Sequence, residues 1–349
     1  MQRAIAAAEH LVPCILARAE AASGFAADGM LSAQEVFAQQ MVTGVSNGMI
    51  IALIAIGYTM VYGIIELINF AHGDLFMLGA FLALTLLGAL GLGEWSGAAA
   101  WAAVGIMLIG SAGFCGVLNW GIDRLAYKPL RNASKLSLLV SAIGASFILV
   151  NLGLFWGGLP MEVFAGGVAA AAPKDFPALV PNTNLLGEES LVQFTPKDVL
   201  VLAVTVPLMI GLTWIVTRTR LGKAMRATAQ NPVAARLMGI DTDRVIGATF
   251  LIGGALGGFA SVIYALYNNT ISFQMGYRAG MDAFTAAVLG GIGSMPGAVT
   301  GALVIGLVRS MSDAYLETRW TNTIVFGILV LILIFRPSGL LGSRAKEKV

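Results

Sequence analysis

The chain has 349 residues, of which 57% are hydrophobic and only 11% charged, with a formal net charge of +2 and a mean hydropathy of +0.82. A soluble domain carries about 25% charged residues, so the composition excludes a soluble globular protein and predicts an all-α polytopic membrane protein. Long apolar runs without strict alternation argue against an outer-membrane barrel. Two cysteines (Cys14, Cys115) and two histidines (His10, His72) supply neither a disulfide framework nor a metal site.

Residues 1–36 read as an N-terminal extension. The run Ala4–Ile15 is interrupted by Glu9 and His10, which spoils a signal-peptide apolar region, and Leu11-Val12-Pro13-Cys14 is a poor lipoprotein site. A surface-lying or dispensable extension is expected, with Met30 as an alternative start. A bilayer-spanning helix needs about 20 mostly apolar residues. The segments that meet this are Met41–Tyr62, Leu75–Leu92, Gly97–Trp120, Leu136–Trp156, Val199–Val216, Val245–Tyr267, Gly297–Ala314 and the shorter Thr323–Phe335. Met281–Ser294 is glycine-rich and interrupted, and is expected to form a partial or re-entrant helix. Residues 37–340 thus form one transmembrane domain of about eight spans plus broken segments, followed by a basic tail, 341–349.

Charge in the loops orients the chain. Gly121–Lys135 carries Arg124, Lys128, Arg131 and Lys135 against Asp123. Loop 217–244 carries Arg218, Arg220, Lys223, Arg226, Arg236 and Arg244 against Asp241 and Asp243. The tail is also basic, whereas Gly157–Asp198 is acidic. The positive-inside rule makes the basic segments cytoplasmic and the long loop external. Two points stay open. Residue 40 is outside if three full spans precede residue 121, and inside if the chain makes only a half-crossing near Ile64–Asn69. A cytoplasmic tail requires Met281–Ser294 to contribute a net crossing.

The stretch Ile54–Leu82 is apolar enough to lie in a membrane yet holds Tyr58, Thr59, Tyr62, Glu66, Asn69, His72 and Asp74. Intramembrane ionisable groups face a cavity or a partner rather than lipid, so these residues are candidates for the wall of a passage, together with Asp282. Structural roles compete: interfacial or internally bonded tyrosines, a buried subunit contact for Glu66 and Asn69, and caps on broken helices for His72 with Asp74 and for Asp282. Arg309 and Asp313, i and i+4 on one span, are expected to pair. Gly253 and Gly257, Gly254 and Gly258, and Gly297 and Gly301 form small-xxx-small pairs for close helix packing.

Loop 217–244 contains a pattern of its own. Gly222–Gln230, with Ala227 among its helix formers, predicts a short amphipathic helix. Asn231-Pro232 is a cap followed by a first-turn proline, Pro232–Met238 a second short helix bearing Ala235 and Arg236, and Gly239 its stop. Such a helix suits insertion into a groove on a partner; the alternative is a basic loop that sets topology or touches anionic lipid. No G-x-x-x-x-G-K-[ST] sequence is present, so the chain cannot cradle nucleotide phosphates in that way.

Three stretches carry a specific likeness: Ala52–Ala80 (ALIAIGYTMVYGI running on to INFAHGDLFMLGA), Leu221–Phe250 (LGKAMRATAQNPVAARLMGIDTDRVIGATF) and Ala283–Gly301 (AFTAAVLGGIGSMPGAVTG). From about Phe37 to Arg336 the chain resembles the branched-chain amino-acid ABC transporter permease family, H-type subunit (the LivH family). The resemblance implies a transport subunit rather than an enzyme, in the bacterial inner membrane with a cytoplasmic C-terminus. It implies a heterodimer with a second related permease and an extracytoplasmic substrate-binding protein. It also implies two cytoplasmic ATPases that carry the ATP and magnesium, with no cofactor on this chain and no nucleic-acid partner. Residues Gly222, Ala227, Asn231, Pro232, Ala235, Arg236, Met238 and Gly239 then lie in the segment such permeases present to their ATPase. The expected activity is alternating-access import of branched-chain or related amino acids, with substrate choice residing largely in the binding protein. Import of urea, short amides or other amino acids is the alternative within that machine. A stand-alone secondary transporter or channel leaves the Asn231–Gly239 segment unexplained, and an intramembrane enzyme built on Ser294 and His72 lacks a defensible base neighbourhood.

Overall fold

The computed structural model describes residues 33–65, 69–95, 97–131, 133–167, 169–187, 190–316, 318–336 and 338–342. The expectations for Met30 and most of the extension, for Glu66 and for most of the basic tail lie outside these residues. Helices α1 (Ala33–Ile65), α2 (Ala71–Ala89), α3 (Ala98–Ile122), α4 (Lys135–Gly157) and α5 (Pro196–Arg218) are followed by the short α6 (Arg220–Gln230) and α7 (Pro232–Leu237). Then come α8 (Thr242–Asn268), α9 (Met275–Gly290), α10 (Met295–Tyr315) and α11 (Thr318–Phe335). All but α6, α7 and α9 are long and apolar enough to cross a membrane, and the eight segments expected from the sequence each lie on one of them. The first helix begins at Ala33, inside the segment assigned to the extension. Among the described residues the sheet is confined to β1 (Lys174–Asp175) and β2 (Thr270–Ile271), an antiparallel pair joining the long loop to the end of α8.

Local chemistry sets several boundaries. Ser134 caps α4 by accepting from Ser137 N, Asp241 caps α8 through Arg244 N, and Ser294 caps α10 through Gly297 N. A capping box of Thr195 and Asp198 opens α5. The other oxygen of Asp198 accepts from Ser46 Oγ at 2.6 Å and Tyr267 Oη at 3.2 Å. One carboxylate thereby ties α5, α1 and α8 together.

Helices α1, α2 and α8 form the centre. Between 72 and 78% of their most apolar windows is buried, against 22% for α4 and α5 and 17% for α11, which therefore form the lipid- or partner-facing rim. The α1–α10 seam is closed by glycine. A Cβ on Gly306 would lie 2.4 Å from Gly44 O and 2.5 Å from Gly48 Cα, so the two backbones meet directly. The pairs read from the sequence also serve close packing: Gly254 and Gly258 abut Cys115 and Ser111 of α3, while Gly297 and Gly301 abut Gly290 and Ala286 of α9. Gly253 faces Gly57, and Gly257 faces the His72 ring.

The bundle has two distinct ends. At one, Gln39 near the start of α1 accepts from Gln193 N of the long loop at 2.7 Å, and Ser310 near the end of α10 donates to Gln40 O at 2.9 Å. At the other, Gly63 and Ile64 of α1, Val216 of α5, Arg226 of α6 and Gly293 border one cavity. Residues 338–342 fold onto the same α9–α10 turn, Leu340 N donating to Leu289 O at 2.8 Å. Residue 40 thus sits with the long loop, and α9 carries the chain from the loop end to the basic end. It does so in 16 residues, about 24 Å at 1.5 Å per residue, shorter than a hydrocarbon core of about 30 Å.

Candidate functional site

The polar series around residue 66 divides into separate environments. Asn69, directly after the break between α1 and α2, accepts from Tyr127 Oη at 2.7 Å and donates to Asn119 Oδ1 at 3.3 Å; Asn119 in turn donates to Phe250 O at 2.6 Å. This closed network anchors the break to α3 and α8, which accounts for a buried asparagine without a passage. Asp74 accepts from Ser146 Oγ of α4 at 2.5 Å. It makes no side-chain cap, because α2 begins at Ala71 rather than Leu75, but it lies in the first turn, where its charge favours the helix dipole. His72 is fully buried, edge-on to Tyr58 with ring centroids 4.7 Å apart, in a space that exists because residue 57 is glycine. Tyr62 is half-buried.

Two cavities flank this layer. The one at the basic end, about 120 Å³, is bordered by Thr59, Gly63, Met225, Arg226, Thr249 and Gly293, and the Thr59 hydroxyl is buried with no hydrogen-bond partner among the described residues. The one at the loop end, about 320 Å³, lies between the first half of α1, the start of α9 and the end of α10, with Asp282 and Arg309 in its wall. Here two expectations are corrected. Asp282 does not cap the second broken helix, because α9 starts seven residues earlier, at Met275. Arg309 pairs with Asp282 at 2.5 Å and Asn322 at 2.8 Å rather than with Asp313, which instead accepts from Thr321 Oγ1 at 2.5 Å. The i,i+4 spacing offered Arg309 a partner on its own helix, but a carboxylate on the facing helix and an amide on α11 took its place.

At the basic end the loop folds as two short helices. Thr219 caps α6 through Gly222 N, and Gly222 leaves room for the Val216 carbonyl that a Cβ would strike at 2.1 Å. Met225 and Thr228 are buried against the bundle, and Ala227 belongs to the same helix. Asn231 Oδ1 accepts from Val233 N and Ala234 N, both at 3.0 Å, with Pro232 in the first turn. Gly239 follows in the left-handed region at φ 82°. Ala235 turns inward, whereas Val233, Leu237 and Met238 are 66, 83 and 82% exposed, an apolar tip without a partner in the described chain.

Arg236 links α7 to α8. Arg236 donates to Thr242 Oγ1 at 2.7 Å and lies 3.7 Å from Asp243. Asp243 also pairs with Lys128 at 3.0 Å and Arg131 at 2.7 Å, and Arg131 reaches Asp123 at 2.7 Å. Charge counting had treated these as excess positive residues; the contacts make Arg131 and Asp243 the hubs of a network joining the segment after α3 to α7 and α8. Its members are up to 120 residues apart in sequence, so no local spacing could announce it.

The family model described as branched-chain amino acid transport system / permease component matches residues 40–334. The permease protein LivH of the high-affinity branched-chain amino acid transport system of Escherichia coli is 39% identical over 316 residues, covering 90% of this chain and 98% of that protein. BraD of Pseudomonas aeruginosa, a permease protein of the same description, is 40% identical over 318 residues, with the same coverage. The xylose transport system permease protein XylH of Escherichia coli is 29% identical over 287 residues, covering 73% of this chain and 69% of that protein. No solved structure matches. The family match spans nearly all of the chain, and relatives near 40% identity cover nine-tenths of it, so this chain belongs to the family of branched-chain amino acid transport system permease components.

Proposed function

We propose that this chain is a permease subunit of an ATP-driven importer for branched-chain amino acids and forms half of its translocation pathway by alternating access. The observation that carries the coupling is α7: a rigidly capped helix with an apolar tip formed by Val233, Leu237 and Met238, on the basic face where an ATPase would dock. The partners are a second related permease, two cytoplasmic ATPases that bind ATP and magnesium, and an extracytoplasmic binding protein. The membrane is the bacterial inner membrane, with the basic end and the C-terminus in the cytoplasm, consistent with the positive-inside rule.

Two routes lead from α7 into the bundle. One runs from Arg236 through Asp243 and Arg131 to Asp123, directly after α3. The other runs through α6, whose Met225 and Arg226 border the basic-end cavity beside Thr59 and Gly293. ATP-driven displacement of α7 has a transport consequence only if it shifts the free-energy difference between two arrangements of the bundle.

The test is uptake of labelled leucine into vesicles holding this chain with its partners, with and without ATP. ATP-dependent uptake that disappears when this chain is omitted is the expected result. Uptake of urea or a short amide without leucine uptake would keep the machine and replace the substrate. Uptake by this chain alone, indifferent to ATP, would overturn the importer reading.

A further inference from the structure

The loop-end cavity has a composition that a generic water-filled vestibule does not require. Arg278, Asp282, Arg309 and Asp313 supply its charged lining, and Asp282, only 13% exposed, pairs with Arg309. Among the described residues Arg309 commits Nη2 alone to Asp282 and Asn322, and its Nε is buried without an acceptor. Ile50, Ile54 and Phe76 also line the cavity and are apolar and buried. At about 320 Å³ the space falls in the range of about 300–1,000 Å³ typical of small-molecule sites. A carboxylate, an arginine with a spare donor, and an aliphatic and aromatic lining complement the three parts of one ligand class.

We propose that this cavity is a transient binding site for a zwitterionic α-amino acid with an apolar side chain. Arg309 receives the carboxylate through the donors it does not spend on Asp282. Asp282 accepts from the ammonium group, and Ile50, Ile54 and Phe76 take the side chain. A pre-existing ion pair keeps both charges compensated while the cavity is empty, and a zwitterion can insert its own two charges into the pair without leaving either protein charge unpaired. That exchange is close to neutral in charge and keeps the site weak, as a passage that must release its cargo requires. A neutral amide or urea would not complete the same set of contacts. The inference deepens the importer reading and rests on it for the identity of the ligand, and it gives this subunit a part in substrate choice that the sequence assigned to the binding protein.

The assembled transporter, in detergent and without binding protein, can be dialysed against labelled leucine. Saturable, low-affinity binding is expected, with competition by valine and isoleucine but not by 4-methylpentanoate or 3-methylbutylamine, each of which lacks one charge. Arg309→Gln should weaken binding by about tenfold or more, the worth of a hydrogen bond to a charged group, and Arg309→Lys should weaken it less. Ala279→Phe, which fills the cavity without replacing either member of the ion pair, should abolish binding while leaving assembly and basal ATPase activity unchanged, and it decides the matter if Arg309→Gln fails to assemble. No saturable binding to the wild type, or equal binding by Ala279→Phe, overturns the site. Parallel uptake assays separate the two claims: ATP-driven leucine uptake with no cavity binding removes this proposal alone, and cavity binding with no ATP-driven uptake removes the importer reading alone.

Discussion

At Gly306 one methyl group decides whether α1 and α10 can meet. The atoms it would strike, Gly44 O and Gly48 N at 2.4 Å, are backbone and cannot rotate away. Gly306→Ala is therefore expected to destabilise the purified protein by about 1–3 kcal/mol, the usual cost of overpacking. Gly105→Ala, where nothing lies within 4 Å of the added carbon, should be neutral or gain up to about 1 kcal/mol from helix propensity. Thermal unfolding in detergent checks both, and equal midpoints for the two variants would sink the packing argument. Asn69→Leu tests the anchor of the α1–α2 break. It strips the acceptor from the buried Tyr127 hydroxyl and a donor from Asn119, at about 1–3 kcal/mol for each buried group left unsatisfied, and a variant with wild-type stability would show that the network holds nothing in place. Residues of this kind were half legible. A polar residue in an apolar span announced that Asn69 had a partner, but the partners stand 50 and 58 positions away, and nothing in a linear pattern distinguishes a buried clasp from a pore lining.

Among the elements, α7 was the most legible and α9 the least, for one physical reason. The ends of α7 are set by neighbours in sequence, Asn231 accepting from two amides just beyond it and Gly239 supplying the left-handed turn, so the sequence displays the whole device. The start of α9 is set by packing: Gly276 and Gly280 let it cross Gly73 of α2 at backbone distance, and the Met275–Gly280 stretch, with Tyr277 and Arg278, looks like a loop until that surface is known. The same contrast separates two predictions on α7. Asn231→Ala removes a cap worth about 1 kcal/mol, which should fray so short a helix and lower ATP-driven uptake while leaving the bundle folded. Arg236→Glu with Met238→Asp changes a solvent-facing helix whose ion pair to Asp243 is exposed and worth about 0–1 kcal/mol. The protein should unfold at nearly its wild-type temperature yet lose ATPase association in pull-down and uptake in vesicles. Normal association and uptake in that double variant would remove α7 from the coupling route.

For the molecule as a whole, the spans could be counted from hydropathy, but the parity of the chain could not, because it depends on segments too short to register as spans. The structure resolves it by contact: Gln39 with Gln193 at one end, and residues 338–342 with the α9–α10 turn at the other. If the basic end faces the cytoplasm, three single cysteines give a definite pattern. Introduced with Cys14 replaced by serine and with the native Cys115 inert because it is fully buried, Gln193→Cys should react with a membrane-impermeant maleimide in intact cells. Leu237→Cys, at a site 83% exposed, should react only once the inner membrane is opened. Leu341→Cys, beside Gly290 and 52% exposed, carries the most information. It should behave like Leu237→Cys, because α9 takes the chain across even though its length falls short of a full span. Were α9 to return to the side it entered, α10 and α11 would deliver residue 341 beside Gln193, and the intact-cell reagent would find it. Labelling of Leu341→Cys from outside, with Leu237→Cys protected, would therefore break the topology at α9, whereas inversion of all three results would keep the fold and turn the molecule over in the membrane.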